Sequence, residues 1–274
     1  MKCLGITIND ILSISYLSNK YPFEIKYIPI FAILFSLVLE NVEGHKLLEV
    51  SSNDNIKFEY SIPIPNHTIS WAIYQKLGGD DGNAKFYKFQ NQQINSSLYA
   101  QVSIPLIDEY KTFAPSLVLL EPQVNRYNNS ISMIDNHSNH TNTNNLPFEI
   151  LENYRILLKA DYQGSASSSI FYEPFTQTSY WERQEIRTQL QNLGTYYIAV
   201  YNENNASITE GKFVLAVGEV EDFSLLDFFI LIPYSWIKLK LFFDDYLSVF
   251  IATIIFISLV LILFMTLKIV QRKK

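Results

Sequence analysis

From Tyr246 to Leu267 the sequence reads YLSVFIATIIFISLVLILFMTL, 22 residues without a charge. As an α-helix rising about 1.5 Å per residue, this run is roughly 33 Å long, enough to cross a hydrocarbon layer of about 30 Å. Val, Ile, Leu and Phe dominate it, and its few hydroxyls (Ser248, Thr253, Ser258, Thr266) can bond back to helical carbonyls. A core helix of this composition needs protein packed around it on all sides, and a chain of 274 residues does not supply that. The run is therefore expected to span a membrane. Residues 268–274 carry Lys268, Arg272, Lys273 and Lys274 and no acid, which assigns that end to the cytoplasm and everything before residue 246 to the outside. So short a tail is not expected to signal by itself.

A second apolar run, Tyr27–Leu39 (YIPIFAILFSLVL), is only 13 residues long and follows Lys20 and Lys26. That length suits a secretory leader rather than a span, and Val42-Glu43-Gly44 offers a cleavage site after Gly44. Residues 1–44 are thus expected to be a signal peptide or, uncleaved, an N-terminal anchor. Cys3, the only cysteine, falls in this leader, which excludes a disulfide scaffold, a cysteine-ligated zinc site and a thiol redox motif.

Residues 45–245 hold 14 Lys+Arg against 23 Asp+Glu, a balance of −9. Such acidity argues against a nucleic-acid partner, which needs a basic face. An acidic exterior without cysteine suits a prokaryotic or archaeal cell surface, where a large core replaces cross-links. Asn-X-Ser/Thr sequons at Asn66, Asn95, Asn128, Asn136, Asn139 and Asn205 all fall in this exterior part and are candidate glycosylation sites. Three of them sit in 125–145, an Asn-laden stretch with too few apolar side chains to bury a face, expected to be a loop. His137 and His140 in that loop lack fixed geometry for a metal, and Asp80-Asp81-Gly82-Asn83 lacks the spacing of a calcium loop and is better read as a hairpin turn. No metal or other cofactor is expected.

The rest of 45–222 alternates at strand length. Ile56, Phe58, Tyr60 and Ile62 alternate with polar residues, and 68–75, 84–90, 98–104, 116–120, 154–160, 168–172 and 182–190 are rich in aromatic and β-branched residues. Prolines 63, 65, 105, 115, 122 and 147 sit at the expected strand ends. The fold class is therefore expected to be all-β, an antiparallel jelly-roll or β-sandwich exterior domain. In Gly194–Tyr201, Tyr196, Ile198 and Val200 share one face; in Gly211–Gly218, Phe213, Leu215 and Val217 do. The two runs are expected to pair as a hairpin. Leu193-Gly194-X-Tyr196 resembles a tyrosine corner, in which the hydroxyl ties a crossing loop to the sheet.

The segment Leu190-X-X-X-Gly194-Thr-Tyr-Tyr-Ile-Ala-Val, followed by Gly211-Lys-Phe-Val-Leu-Ala-Val, resembles the closing hairpin of bacterial pre-peptidase C-terminal domains. The arrangement of the whole chain is also similar to single-span surface proteins of ammonia-oxidising archaea. The first resemblance implies a jelly-roll sandwich of the kind attached to secreted enzymes and surface proteins. Together they imply a binding or accessory module, with no catalytic residue to carry over. The departure from the pattern is that no peptidase domain precedes the hairpin.

Two further segments are candidates for function. Phe171–Gln184 (FYEPFTQTSYWERQ) sets aromatic rings among hydrogen-bonding side chains, the composition of a sugar or peptide site. Phe175, Tyr180, Trp181, Glu182 and Arg183 are the ligand-binding candidates, against the alternative that the rings fill the core and Arg183 covers its rim. Glu173 and Glu182 could be a glycosidase acid and base. Residues 223–245 are too apolar for a linker, yet Asp227, Pro233, Lys238 and Lys240 spoil them as a span. Their aromatics Phe228, Phe229, Tyr234, Trp236, Phe242 and Phe243 suggest short helices broken near Pro233 and lying on the outer leaflet; the alternative is a helix packed on the sandwich. The expected function is non-catalytic recognition or scaffolding at the cell membrane, the lipid bilayer and another envelope protein or glycans being the partners. A carbohydrate-binding module and an envelope glycoside hydrolase are the alternatives.

Overall fold

The computed structural model describes residues 44–50, 54–123, 146–161, 169–174, 176–203, 210–224 and 226–272. Gly44–Lys274 forms one compact unit, and residues 1–43 lie outside the described residues. The leader, the 125–145 loop and the sequons at Asn128, Asn136, Asn139 and Asn205 therefore lie outside the described residues.

Within this unit the chain is mostly β, in two sheets. The strands are β1 (Lys46–Leu47), β2 (Ile62–Pro63), β3 (Trp71–Leu77), β4 (Ala84–Asn91), β5 (Ser96–Pro105), β6 (Ser116–Pro122), β7 (Tyr154–Ala160), β8 (Ile170–Glu173), β9 (Thr178–Leu190), β10 (Gly194–Tyr201) and β11 (Gly211–Val217). One sheet has six strands in the order β1-β3-β11-β5-β9-β8, the other five in the order β2-β4-β10-β6-β7. Pairing is antiparallel except for the two-residue strands β1 and β2, which run parallel to β3 and β4.

Period-two alternation explains the layering. On β5, Leu98, Ala100, Val102 and Ile104 point inward; on β10, Tyr196, Ile198 and Val200; on β11, Phe213, Leu215 and Val217; all join one core with Ile73, Tyr87, Phe89, Leu117, Leu119, Trp181 and Ile186. A second cluster, Phe58, Phe86, Val118, Leu120 and Tyr201, lies on the outer side of the five-stranded sheet, covered by Leu146, Phe148, Ile150 and Leu151. The Phe58, Phe86, Phe148 and Tyr201 rings meet there at centroid distances of 4.2–5.8 Å, spacings at which ring quadrupoles attract.

Three expectations are corrected. β10 and β11 do not pair: β10 lies between β4 and β6, β11 between β3 and β5 in the opposite sheet. The alternation gave each strand its inner face correctly, but the faces meet across the core. The turn at 78–83 likewise carries the chain from β3 in one sheet to β4 in the other and is not a hairpin. Finally, 56–61 is not a strand, and only Ile62 of that run joins one, the two-residue β2. Phe58–Tyr60 is a 3₁₀ turn, closed by the Ser61 hydroxyl donating to the Phe58 carbonyl at 2.6 Å, and Phe58 is buried while Ile56 and Tyr60 face solvent.

The Tyr196 hydroxyl donates to the Asn192 carbonyl at 3.0 Å and accepts from its N–H at 3.2 Å, tying the β9–β10 crossing as a tyrosine corner does. Glu121 fixes the same loop, accepting from the Asn192 side chain at 3.0 Å and from Arg155 at 2.6 Å. Where β11 ends, Gly218 has φ +79° and a Cβ there would sit 2.2 Å from the Ile69 carbonyl oxygen, so only glycine fits.

After β11, a π-helical turn (Asp227–Leu231) leads into α1 (Ile232–Phe242); Phe243, Asp244 and Asp245 link it to α2 (Tyr246–Arg272). Pro233 sits in the first turn of α1, where its missing N–H costs nothing. In α2, Tyr246–Thr266 has a mean hydropathy of 3.0 and its side chains are not buried within the protein, so this helix is long and apolar enough to cross a membrane.

Candidate functional site

The outer face of the six-stranded sheet presents Ala72 and Tyr74 from β3, Val214 and Ala216 from β11, Gln101 and Ser103 from β5, Tyr180 from β9, and Phe171 and Glu173 from β8. Helix α1 covers part of this face with Ile232, Ser235, Trp236 and Leu239, and His45 enters beside β1. Phe242 and Phe243 complete the cover, their rings 6.1 and 6.0 Å from Tyr74.

Glu173 is the polar centre of this groove. It is only 3 % exposed, and its Oε2 accepts from the Tyr74 hydroxyl at 3.0 Å and from Thr176 Oγ1 at 2.9 Å. Tyr180 in turn donates to the Tyr74 hydroxyl at 3.4 Å. Burial, reinforced by the Glu173 charge, pushes the Tyr74 and Tyr180 hydroxyls well above the usual tyrosine range, so both stay neutral donors. Burial pushes the His45 imidazole down, against the pull of Glu173 and Glu221, which favours its neutral form. Two clefts open here, of about 10 and 30 Å³; the larger has room for about two waters and not for a sugar ring.

This geometry separates the residues of 171–184 that were candidates for a ligand site or for the core. The segment is the β8–β9 hairpin, and alternation sends its rings apart: Tyr180 to the outer face beneath Phe243, Trp181 into the core between the sheets. Arg183 reaches the turn before β6. Its Nε donates to the Phe113 carbonyl at 3.2 Å and its Nη2 to the Lys111 carbonyl at 2.8 Å, fastening the turn before β6. Glu182 accepts from the Ser169 hydroxyl. Phe175 lies outside the described residues. Nor do Glu173 and Glu182 face one another. Glu173 is opposite Thr178 and the Ser169 carbonyl bonds the Glu182 N–H, so four residues of β9, roughly 13 Å, separate their positions. Inverting glycosidases need carboxylates about 6.5–9.5 Å apart and retaining ones about 5 Å. Among the described residues no group of three His, Cys, Asp or Glu side chains could hold a metal.

The juxtamembrane aromatics divide between two sides of α1. Trp236, Phe242 and Phe243 face the sheet, as the packed-helix alternative requires. Tyr234 turns outward and donates to Glu49 at 2.7 Å; Phe228 is half-buried and Phe229 exposed. Sequence reasoning missed the apolar stripe that the structure brings together on the free side, Leu226, Ile230, Ile237 and Leu241, whose spacing of 4, 7 and 4 residues keeps one helical face. An α-helix apolar on both sides was the available signal.

The root of α2 is fastened by two buried lysines. Lys212 of β11 donates to the Phe242 carbonyl at 2.6 Å and to Asp244 Oδ2 at 2.5 Å; Lys240 pairs with Asp245 at 3.3 Å. Asp245 Oδ1 also accepts the Ser248 N–H, capping α2. Near the start of the unit, Lys46 pairs with Asp227 at 3.2 Å and Lys238 with Glu49 at 3.2 Å, so strand β1 and the segment after it are bound to the same helical piece.

Of the two described sequons, Asn66 forms an Asx turn, its Oδ1 accepting from Thr68 N–H and Oγ1, and Asn95 is exposed at φ +61° in the β4–β5 turn. Compared with known proteins, the chain matches no protein-family model and no curated protein.

Proposed function

We propose that this is a single-span membrane protein whose β-sandwich stands on the outer side and serves non-catalytic recognition or scaffolding. The observation that carries the reading is α1. One side of it is packed on the sheet, the opposite side exposes Ile237 and Leu241 in line with Leu226 and Ile230 of the turn that leads into it, and only three residues separate it from a helix that can cross a bilayer. A leaflet surface is the medium that covers such a stripe while α2 crosses the membrane beneath it. The basic residues that follow the apolar span, Lys268, Arg272, Lys273 and Lys274, support an outward sandwich by the positive-inside rule. The acidic, cysteine-free exterior suits a cell surface. A jelly-roll arrangement belongs to the same proposal, supported by the repeated crossing of β3 to β6 and β9 to β11 between sheets.

Full-length protein in nanodiscs tests the leaflet contact. With Cys3→Ser as background, an environment-sensitive fluorophore at Ile230→Cys should shift to the blue and be quenched by lipids spin-labelled near the headgroup. The same fluorophore at Gln90→Cys, on the five-stranded sheet, should not. Equal quenching at both positions, or none at residue 230, refutes the interfacial placement.

A further inference from the structure

Sheet edges are sites of unwanted pairing, and proteins guard them with charge, proline or brevity. Three of the four edges here carry such a guard: β1 has Lys46, β2 has Pro63, and β7 has Arg155 and Lys159. The fourth, β8, runs Ile170-Phe171-Tyr172-Glu173, and its one charge is turned into the groove beneath Tyr74. Its three apolar residues are consecutive and all exposed, Ile170 at 60 % and Tyr172 at 54 %. A run of this kind on a surface is a defect unless something covers it.

Backbone geometry says which groups are on offer. The Glu182 N–H bonds the Ser169 carbonyl, and in an antiparallel ladder bonded and non-bonded pairs alternate. Phe171 and Glu173 therefore exchange bonds with β9, while the N–H and C=O of Ile170 and Tyr172 point away from it. Ser179, opposite Tyr172, confirms the phase: its carbonyl faces β5 and accepts the Leu106 N–H at 2.9 Å. Among the described residues nothing pairs with the outward groups of Ile170 and Tyr172.

We propose that β8 pairs antiparallel with β8 of a second copy of this chain, about a two-fold axis at Phe171. The edge is self-complementary in that register. Ile170 exchanges two hydrogen bonds with Tyr172 of the second copy, and Tyr172 does the same with its Ile170. An exposed aliphatic side chain thus covers an exposed ring twice on one face, and the two Phe171 side chains meet on the other. Strand pairing also keeps the outer faces of the two sheets on the same side. Because α1 packs on that face in each copy, both helices and both spans leave the pair in one direction, as two chains in one bilayer must. A four-residue strand covers on the order of a few hundred Å² per partner, below the roughly 800 Å² of a stable soluble complex. The pairing rests on the membrane reading for its strength alone, since confinement to a bilayer raises the effective concentration of the second copy.

The test uses full-length chain in membranes, with Cys3→Ser as background. Phe171→Cys places two thiols at a non-bonded antiparallel position, where Cα atoms lie about 4.5 Å apart, within disulfide range. Mild oxidation should give a linked dimer, and Val220→Cys, another exposed apolar position, should not. Adding Tyr172→Pro removes an outward N–H and leaves the bonds to β9 intact, as edge prolines do; the dimer should disappear. If that variant fails to fold, Ile170→Lys with Phe171→Cys gives the same readout by placing a charge on the edge. Carbonate extraction reads tethering separately. Pelleted protein that does not cross-link at residue 171, or that cross-links equally with Tyr172→Pro or Ile170→Lys, overturns the pairing and leaves the tether standing. Released protein that still cross-links overturns the tether and leaves the pairing.

Discussion

Removing the solvent-exposed partner of the elbow ion pair should cost more than removing the buried one. The Lys212 side chain is 8 % exposed and that of Asp244 is 64 %. Lys212→Met keeps the stem and the packing beside Phe242 while deleting the charge. It leaves behind a carboxylate already in water, so the loss is that of a mostly screened pair, about 0.5–1 kcal/mol. Asp244→Asn removes the countercharge and retains a residue type that tolerates the φ of +62° found there. It strands the ammonium in its pocket with the Phe242 carbonyl as its strong partner. Breaking a fully buried pair costs about 3–5 kcal/mol; with that carbonyl retained, about 2 kcal/mol is expected. That is roughly thirtyfold in the equilibrium for local opening, against about fivefold or less for Lys212→Met.

Hydrogen exchange of the α1 amides in nanodisc-held protein measures this opening, because the elbow holds the end of α1 on the sheet. Protection of the 239–243 amides should fall more in Asp244→Asn than in Lys212→Met. In the double variant it should match Lys212→Met, since no buried charge is left uncompensated. A larger loss in Lys212→Met, or additivity in the double variant, refutes the claim that ammonium desolvation dominates at this joint.

Gly211→Ala should destabilise the sandwich by about 2 kcal/mol, because the added Cβ meets the buried Phe113 ring at 2.6–2.9 Å. In a Phe113→Leu background the same change should cost measurably less in chemical denaturation, and an unchanged cost would place the strain elsewhere. Because burial lowers the pKa of His45, the unfolded chain binds the proton first as pH falls through about 6.5. Stability should therefore drop between pH 7 and pH 5, and thermal melting of His45→Gln should lose less over that interval; parallel losses would remove His45 as the cause.

The strands with clean alternation and sharp ends could be read without the structure: 154–160 and 194–201 coincide with β7 and β10. Their partners could not. Alternation along a strand fixes which side is buried, and both a hairpin and a pair facing across a core satisfy that condition, so β10 and β11 were legible as faces and not as neighbours. The run at 56–62 failed for a related reason. All four of its apolar residues are spaced by two, yet a single hydroxyl at Ser61 and prolines at 63 and 65 turn the backbone, and only Phe58 needed burial among the first three. The candidate site was least legible. Tyr180 and Trp181 are adjacent in sequence and therefore on opposite faces of a strand, which composition alone conceals. The groove around Glu173 joins β1, β3, β8, β9 and α1, and no local pattern announces a contact assembled from such distant pieces.

Both broad faces of this sandwich carry cover of their own. The segment 146–151 lies over the five-stranded sheet, and α1 lies over part of the six-stranded one. A β-sandwich with open faces can bind along its strands. With its faces partly covered in this way, a sandwich offers chiefly its rims, its end loops and whatever its cover exposes. The covering helix exposes an apolar stripe that only lipid or another apolar surface can satisfy, and among the described strands β8 is the edge with neither a proline nor an exposed charge. The two features constrain each other. In the proposed placement, α1 holds the six-stranded sheet against a leaflet and the β8 edge lies sideways in the membrane plane, the orientation in which two tethered copies would meet edge to edge without either leaving the surface.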